Sequence, residues 1–243
     1  MTIAAVIFDW GGTLTPWHKI DLSAQWYAFA QEFAPENAAG LAQALFEAEE
    51  ARWRVQRETS GAESTGALSA ILENCGVDQS AAHFESAFRH YLDFWEPHTL
   101  ADPDALPLFT ALKERGLKIG VLSNTMWPRA FHEEVFARDG LLEFIDAGVY
   151  TSELPVGKPH ADAFRAAMSA LGVENPAECL FVGDRIWDDI HGSQSVGMHG
   201  VFLPHSDHRE IELVETNVTP DFTIQRLGDV FEIVRQLQKR AFA

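Results

Sequence analysis

Three polar clusters hold the residue types that do chemistry. They are Asp9-Trp10-Gly11-Gly12-Thr13, Ser123-Asn124-Thr125, and Asp184 with Asp188 and Asp189. A fourth candidate is Lys158 in Gly157-Lys158-Pro159, the only lysine between Lys118 and Lys239. Carboxylates brought to one point repel each other unless a cation joins them, so this set calls for a hard divalent ion such as magnesium. One carboxylate of such a group can attack phosphorus and form an aspartyl-phosphate. A lysine and a hydroxyl beside it would hold the phosphoryl oxygens. Glycines after Asp9 would let backbone amides approach the anion.

Each cluster follows a short apolar run. Ile3-Ala4-Ala5-Val6-Ile7-Phe8 precedes Asp9, Lys118 to Leu122 precedes Ser123, and Cys179 to Val182 precedes Gly183-Asp184. Runs without polar alternation are strands buried on both faces, as in a parallel sheet. Gly200 to Leu203 and Asp221 to Ile224 read as further strands. Helices are expected at Pro103 to Arg115, Asp162 to Leu171 and Leu227 to Arg240, with Gly116 and Gly172 stopping the first two. Strands alternating with helices give an α/β fold with a mainly parallel sheet. The carboxyl ends of such strands share one edge, where ligands bind, so the three clusters should converge there.

Residues 16–97 break the alternation. Leu22 to Phe33, Ala38 to Arg57, Thr65 to Cys75 and Ala81 to Trp95 read as helices, punctuated by Gly61, Gly66, Gly76 and Pro97. The pattern predicts two domains: a sheet domain made of residues 1–15 and 98–243, and a helical bundle of residues 16–97 inserted after the first strand. No internal repeat or low-complexity segment interrupts them.

Composition narrows the function. At roughly 150 residues per domain, 243 residues suit one or two domains, enough for a core without disulfides. Hydrophobic residues at 47% and charged residues at 22% are ordinary globular values and argue against disorder. Lys plus Arg is 18 and Asp plus Glu is 36, a formal charge of -18. That excess disfavours nucleic acid and anionic membranes as partners. An anionic substrate would need a local positive site built against the protein's own field. Cys75 and Cys179 sit far apart without metal-type spacing and read as reduced core thiols of a cytoplasmic protein. The first apolar run lacks a basic start and meets Asp9, unlike a signal peptide, and no apolar stretch approaches the roughly 20 residues that span a bilayer.

In order and context these residues resemble the haloacid dehalogenase-like hydrolase superfamily. Its first motif, Asp-x-Asp-Gly-Thr after an apolar strand, stands here as Asp9-Trp10-Gly11-Gly12-Thr13. Its second, a Ser or Thr ending a strand, looks like Ser123. Its third, a lysine before a helix, looks like Lys158, and its fourth looks like Gly183-Asp184 followed by Asp188-Asp189. The match runs from Ile3 to about Phe202. The resemblance implies a Rossmann-like core with a mobile helical cap. It implies Asp9 as nucleophile, Ser123 and Lys158 on the phosphoryl group, and Gly12, Thr13 and Asn124 around the substrate. It also implies magnesium held by Asp9, Asp184 and the backbone carbonyl of Gly11, with Asp189 or Asp188 in support.

One position departs from the pattern. Phosphatases of the family carry a second Asp two residues after the nucleophile as general acid and base, and here that position is Gly11. Losing such a group costs roughly 10²–10⁴ in rate. Three routes around the loss are open: another donor such as His18, a leaving group that needs no proton, or different chemistry. A Schiff-base branch is disfavoured because Lys19 is the only lysine of the insert and lies at its start.

Aromatic and cationic residues suggest the walls. Trp10, Trp17, Trp127 and Trp187 lie in or near the motifs and read either as an aromatic pocket for an apolar or ring-containing substrate or as interdomain packing. Arg54 and Arg57 share a helix face, expected to be solvated beside Glu47, Glu49 and Glu50. The resulting expectation is a cytoplasmic, magnesium-dependent phosphohydrolase of a small phosphorylated metabolite. The alternatives are a metal-independent haloacid dehalogenase and a catalytically weak phospho-ligand-binding protein.

Overall fold

All four residues of β1 (Ala5–Phe8) are buried, as a strand must be when both faces of its sheet are covered. The computed structural model describes residues 2–17, 20–206 and 216–240. After β1 the chain runs through α1 (Leu22–Phe33), α2 (Ala38–Glu58), α3 (Leu68–Asn74) and α4 (Phe84–Trp95) before any second strand. It continues through α5 (Ala105–Glu114), β2 (Lys118–Ser123), α6 (Arg129–Arg138), β3 (Ala147–Tyr150) and α7 (Ala161–Leu171). β4 (Cys179–Gly183), α8 (Gly192–Ser195), β5 (His199–Phe202), β6 (Phe222–Thr223) and α9 (Val230–Arg240) complete it.

The strands form one parallel sheet in the order β3-β2-β1-β4-β5-β6. The order reverses between β1 and β4, the place where open α/β sheets bind ligands. Register finishes the alignment. Phe8 pairs with Val121 on one side and Val182 on the other, so Asp9, Ser123 and Asp184 leave the sheet at the same edge.

The pleat sends alternate β1 side chains to two cores. Ala5 and Ile7 pack with Phe164, Leu171 and Phe181 beneath α7. Val6 and Phe8 join Leu108, Phe109 and Val234 under α5 and α9, and this core continues into the helical insert through Trp26, Phe29, Leu45 and Tyr91. Burying each such side chain contributes about 1.5–3 kcal/mol, which fixes the motif loops from both faces. Within the insert α1 starts at an Asp21 cap, whose Oδ1 accepts the Ser23 N–H at 3.1 Å. Trp26 packs on Tyr91 with ring centroids 4.8 Å apart.

Three elements differ from the sequence expectation. β3 is a four-residue edge strand containing Gly148, too short and weakly patterned to stand out. α6 reads Arg-Ala-Phe-His-Glu-Glu-Val-Phe-Ala-Arg, where charges interrupt the apolar stripe. Ile186–His191 forms a turn of π-helix, a form often found at functional sites.

Candidate active site

Lys158 is the hub of the sheet edge. Its Nζ donates to Asp9 Oδ1 at 2.6 Å and to Asp189 Oδ1 at 2.7 Å, and all three residues are buried. The backbone around Lys158 is held just as firmly. Its N–H donates to Asn124 Oδ1 at 2.8 Å, while its carbonyl accepts from Asn124 Nδ2 at 3.0 Å and Gln56 Nε2 at 2.6 Å. Asn124 therefore fastens the end of β2 to the lysine loop, in addition to lining the cleft above Asp9.

Asp9, Asp184 and Asp189 offer oxygens that lie within 4.8 Å of one another. The loop after β1 brings them together. Gly12 has φ +101° and approaches Asp184 so closely that a Cβ there would lie 2.0 Å from its Oδ2. The Thr13 hydroxyl donates to Asp184 Oδ1 at 3.2 Å. Asp189 is tied by Lys158 and by the Arg185 N–H, which donates to its Oδ2 at 2.9 Å. The wide π-turn lets Asp188, the next residue back, line the cleft as well.

The buried carboxylates perturb one another. Burial pushes the Asp9 carboxyl up to about 7, Lys158 pulls against this, and Asp189 and Asp184 add to it. Burial also lifts Asp188 to about 6, with Arg185 opposing and Asp189 reinforcing. Lys158 is held above its ordinary value: burial opposes its charge, but Asp189 and Asp9 outweigh that. The three close carboxylates of Asp9, Asp184 and Asp189 form an oxygen-only donor set that fits a hard divalent cation.

The cleft over Asp9 is lined by Gly11, Ser123, Asn124, Lys158 and Asp188 from the sheet side. The insert contributes Trp53, Gln56 and Trp95, and Trp17 lies at its start. Gly12 and Thr13, expected around the substrate, do not line it. The Gly12 N–H is taken by Thr15 O at 2.9 Å, its carbonyl accepts from His205 Nε2 at 2.8 Å, and Thr13 is engaged by Asp184. Among the tryptophans expected at the site, Trp10, Trp17 and Trp127 line the cleft. Trp187 does not; it stacks on His191 with ring centroids 4.2 Å apart. The rings also pack across the boundary with the insert, Trp127 on Trp10 at 5.4 Å and on Trp95 at 4.8 Å. His18, a candidate proton donor, and Lys19 lie outside the described residues.

The stripe Glu49, Glu50, Trp53, Gln56 and Arg57 along α2 also faces the cleft. Its spacing of three and four residues is visible in the sequence, but the glutamates around Arg57 predict a solvated face there. Arg54 is exposed and Arg57 half-buried, so the two do not share an environment. The connection after α2 docks on the motif loops. Gly157 N–H donates to Gly61 O at 2.8 Å, Ser64 N–H to Pro155 O at 2.9 Å, and Thr65 Oγ1 to Thr125 O at 3.1 Å. Gly61 has φ +77°, and a Cβ on it would lie 2.2 Å from the Gly157 oxygen, so only glycine allows this approach.

Comparison with known proteins agrees with this geometry. The family described as haloacid dehalogenase-like hydrolase matches residues 3–197. A glyceraldehyde 3-phosphate phosphatase of Methanopyrus kandleri is 29% identical over 240 residues, covering 98% of this chain and 99% of the relative. Among solved structures, a 2-haloacid dehalogenase from Pseudomonas syringae pv. Tomato DC3000 superimposes with a TM-score of 0.68 at 23% identity, covering 97% of this chain and 100% of that one. A HAD phosphatase from Thermococcus onnurineus gives 0.62 at 20% identity, covering 96% and 98%. These two likenesses are of fold.

Proposed function

The chain belongs to the haloacid dehalogenase-like hydrolases, and from that premise we propose that it is a magnesium-dependent phosphohydrolase of a small phosphorylated metabolite, working through an aspartyl-phosphate on Asp9. The observation that supports this reading is the buried carboxylate cluster: Asp9, Asp184 and Asp189 offer oxygens within 4.8 Å of one another, and Lys158 bonds two of them. The near full-length relative named as a glyceraldehyde 3-phosphate phosphatase points to the same class of reaction.

In this reading residues 16–97 act as a cap on the core formed by residues 1–15 and 98–243. Asp9 attacks phosphorus, and the leaving oxygen departs into the cleft beneath the cap. Lys158 and Ser123 neutralise the phosphoryl oxygens as charge builds on them. Asn124 and Gln56 keep Lys158 in place through its backbone. Asp9, Asp184, Asp189 and the Gly11 carbonyl would hold magnesium, which when bound supplies Lewis-acid stabilisation of the phosphoryl charge. Closure of the insert shields the intermediate from bulk solvent, and a single admitted water then hydrolyses the aspartyl-phosphate, releasing phosphate and restoring the Asp9 carboxylate. Gly11 contributes no proton, so the donor comes from elsewhere or the leaving group needs none. Two thiols and a net charge of -18 suit a cytoplasmic enzyme with neither nucleic acid nor membrane as partner. Among the described residues no helix is long and apolar enough to cross a membrane.

A panel of phosphorylated metabolites and p-nitrophenyl phosphate, with and without magnesium, tests this. The expected result is magnesium-dependent phosphate release that Asp9→Asn abolishes. The second reading, carbon–halogen hydrolysis by Asp9 without metal, is favoured by Gly11 and the tryptophan wall. Halide release from 2-haloacids in the presence of a chelator, with no phosphate release, would establish it instead.

A further inference from the structure

An indole N–H stands beside the loop of the nucleophile, and no group of the protein uses it. Five tryptophans line the cleft: Trp10, Trp17, Trp53, Trp95 and Trp127. Trp95 Nε1 donates to Gln25 Oε1 at 2.6 Å and Trp127 Nε1 to the Tyr91 hydroxyl at 2.7 Å, so both serve packing. Trp10 Nε1 is sealed in the core. Trp17 and Trp53 are half-buried, and their N–H groups meet no acceptor among the described residues.

Of these two, Trp17 is set against the reacting end. The three atoms nearest to a Cβ built on Gly11 all belong to its indole, with Nε1 first at 2.8 Å. Gly11 follows Asp9 by two residues and lines the cleft with it. The Trp17 ring is backed by Trp95 at 6.2 Å, which Gln25 holds in turn. Lys158 engages Asp9 from the sheet side. In-line displacement therefore sends the leaving atom out on the cleft side, where Trp17 Nε1 stands. An indole N–H donates but does not ionise, so it is no acid. A fixed donor aimed at developing negative charge is nonetheless worth about 10²–10³ in kcat.

We propose that Trp17 is a catalytic residue whose Nε1–H donates a hydrogen bond to the leaving atom of the substrate. As the bond from Asp9 to phosphorus forms, the P–O bond to the leaving group breaks and its electron pair stays on the leaving oxygen. The indole keeps its proton and stabilises that oxyanion, which takes a proton from water after departure. Charge stabilisation thus stands in for the proton transfer that Gly11 cannot perform. A leaving oxygen that departs unprotonated favours acidic hydroxyls, so the substrate class is aryl or enol phosphomonoesters, which also suit a tryptophan-walled cleft. The proposal rests on the phosphohydrolase reading of Asp9.

Trp17→Phe keeps an aromatic ring against Gly11 and removes the N–H. Its kcat/KM is compared with wild type on aryl phosphates of graded leaving-group basicity, from p-nitrophenyl to phenyl. The variant should lose about threefold on p-nitrophenyl phosphate and about 10²-fold on phenyl phosphate, so that its rates fall more steeply with basicity. A variant that only packs or folds less well loses the same factor on every ester, so parallel lines would overturn the proposal. So would an alkyl phosphate that wild type cleaves as fast as p-nitrophenyl phosphate. Protein labelled with ¹⁵N-tryptophan gives a readout without turnover. Trp17→Phe identifies the Trp17 indole resonance, and p-nitrophenolate at alkaline pH should move it downfield in a saturable way. That shift without phosphate release from any ester would sink the phosphohydrolase reading and leave the donor site standing. No saturable shift in wild type overturns the site.

Discussion

A methyl group on Gly11 would stand 2.8 Å from Nε1 of Trp17, so the indole fills the space that a side chain at position 11 would need. Trp17 is not easily moved. Its backbone N–H donates to Ser206 Oγ at 2.9 Å, and that hydroxyl also donates to the Gly12 carbonyl at 2.5 Å. The missing acid and the tryptophan are one structural choice rather than two.

Restoring a carboxyl at position 11 should therefore require both changes. Gly11→Asp alone forces the indole aside and should lower stability by about 1–3 kcal/mol, read as a fall in Tm. Combined with Trp17→Ala, the new carboxyl has room to act as general acid. The double variant should then hydrolyse an unactivated alkyl phosphate about 10²-fold faster than Trp17→Ala alone, with little change on p-nitrophenyl phosphate. Equal rates on the alkyl ester would show that the proton already comes from another group.

Asn124 should act through Lys158. Its amide makes both hydrogen bonds to the lysine's backbone, leaving only Gln56 to share the carbonyl. Asn124→Ala should lower kcat with a smaller effect on KM, because a misplaced ammonium stabilises the transition state less. The lost pair should cost about 1–3 kcal/mol of stability, measured by urea unfolding. A change confined to KM would instead identify Asn124 as a substrate contact.

Much of this arrangement was legible beforehand because the chemistry sits at the ends of continuous apolar strands. Asp9, Ser123 and Asp184 each follow such a run, and a parallel sheet has one carboxyl edge to put them on. What stayed hidden depends on contacts between distant segments. Nothing local marks Asn124 as the clamp of Lys158, or Thr13 as the partner of Asp184. Arg57 looked like a solvated residue because its helix is rich in glutamate, and only the docking of the α2–α3 connection on Gly157 turns that face inward. Trp187 stood in a motif but stacks on His191, because the π-turn rotates it away from its acidic neighbours. β3 and α6 lacked a clean period, and their burial is supplied by neighbours rather than by their own pattern.

His132 should make the fold acid-sensitive. It is wholly buried, stacks on Tyr150 at 4.3 Å, and its Nε2 meets Thr125 Oγ1 at 3.1 Å. Burial, helped by Arg129, pushes its pKa down from 6.5 to about 3. The unfolded chain thus binds the proton in a range where the folded chain does not, so stability falls as pH drops from 6.5 towards 3. At about pH 5 the loss should be about 2 kcal/mol. Urea midpoints of wild type should drop between neutral pH and about pH 5, and His132→Gln should show a flatter profile over that range. Parallel profiles would mean that other groups govern the acid response.

Asp9 should respond in the opposite sense, and magnesium should reverse it. Its carboxyl is raised from 3.8 to about 7 by burial and by Asp189 and Asp184, against Lys158. Between those values the folded chain binds the proton more tightly than the unfolded one. The metal-free fold should therefore lose stability as pH rises through this window and level off above it. A divalent cation needs the ionised carboxylate, so protons compete with it. The rise in Tm on adding magnesium should be small at about pH 5 and full at about pH 8. Asp9→Asn removes the costly charge and should melt above wild type in a chelator at about pH 8, with a weaker response to magnesium. A magnesium shift of equal size at both pH values would mean that Asp9 does not take part in holding the metal.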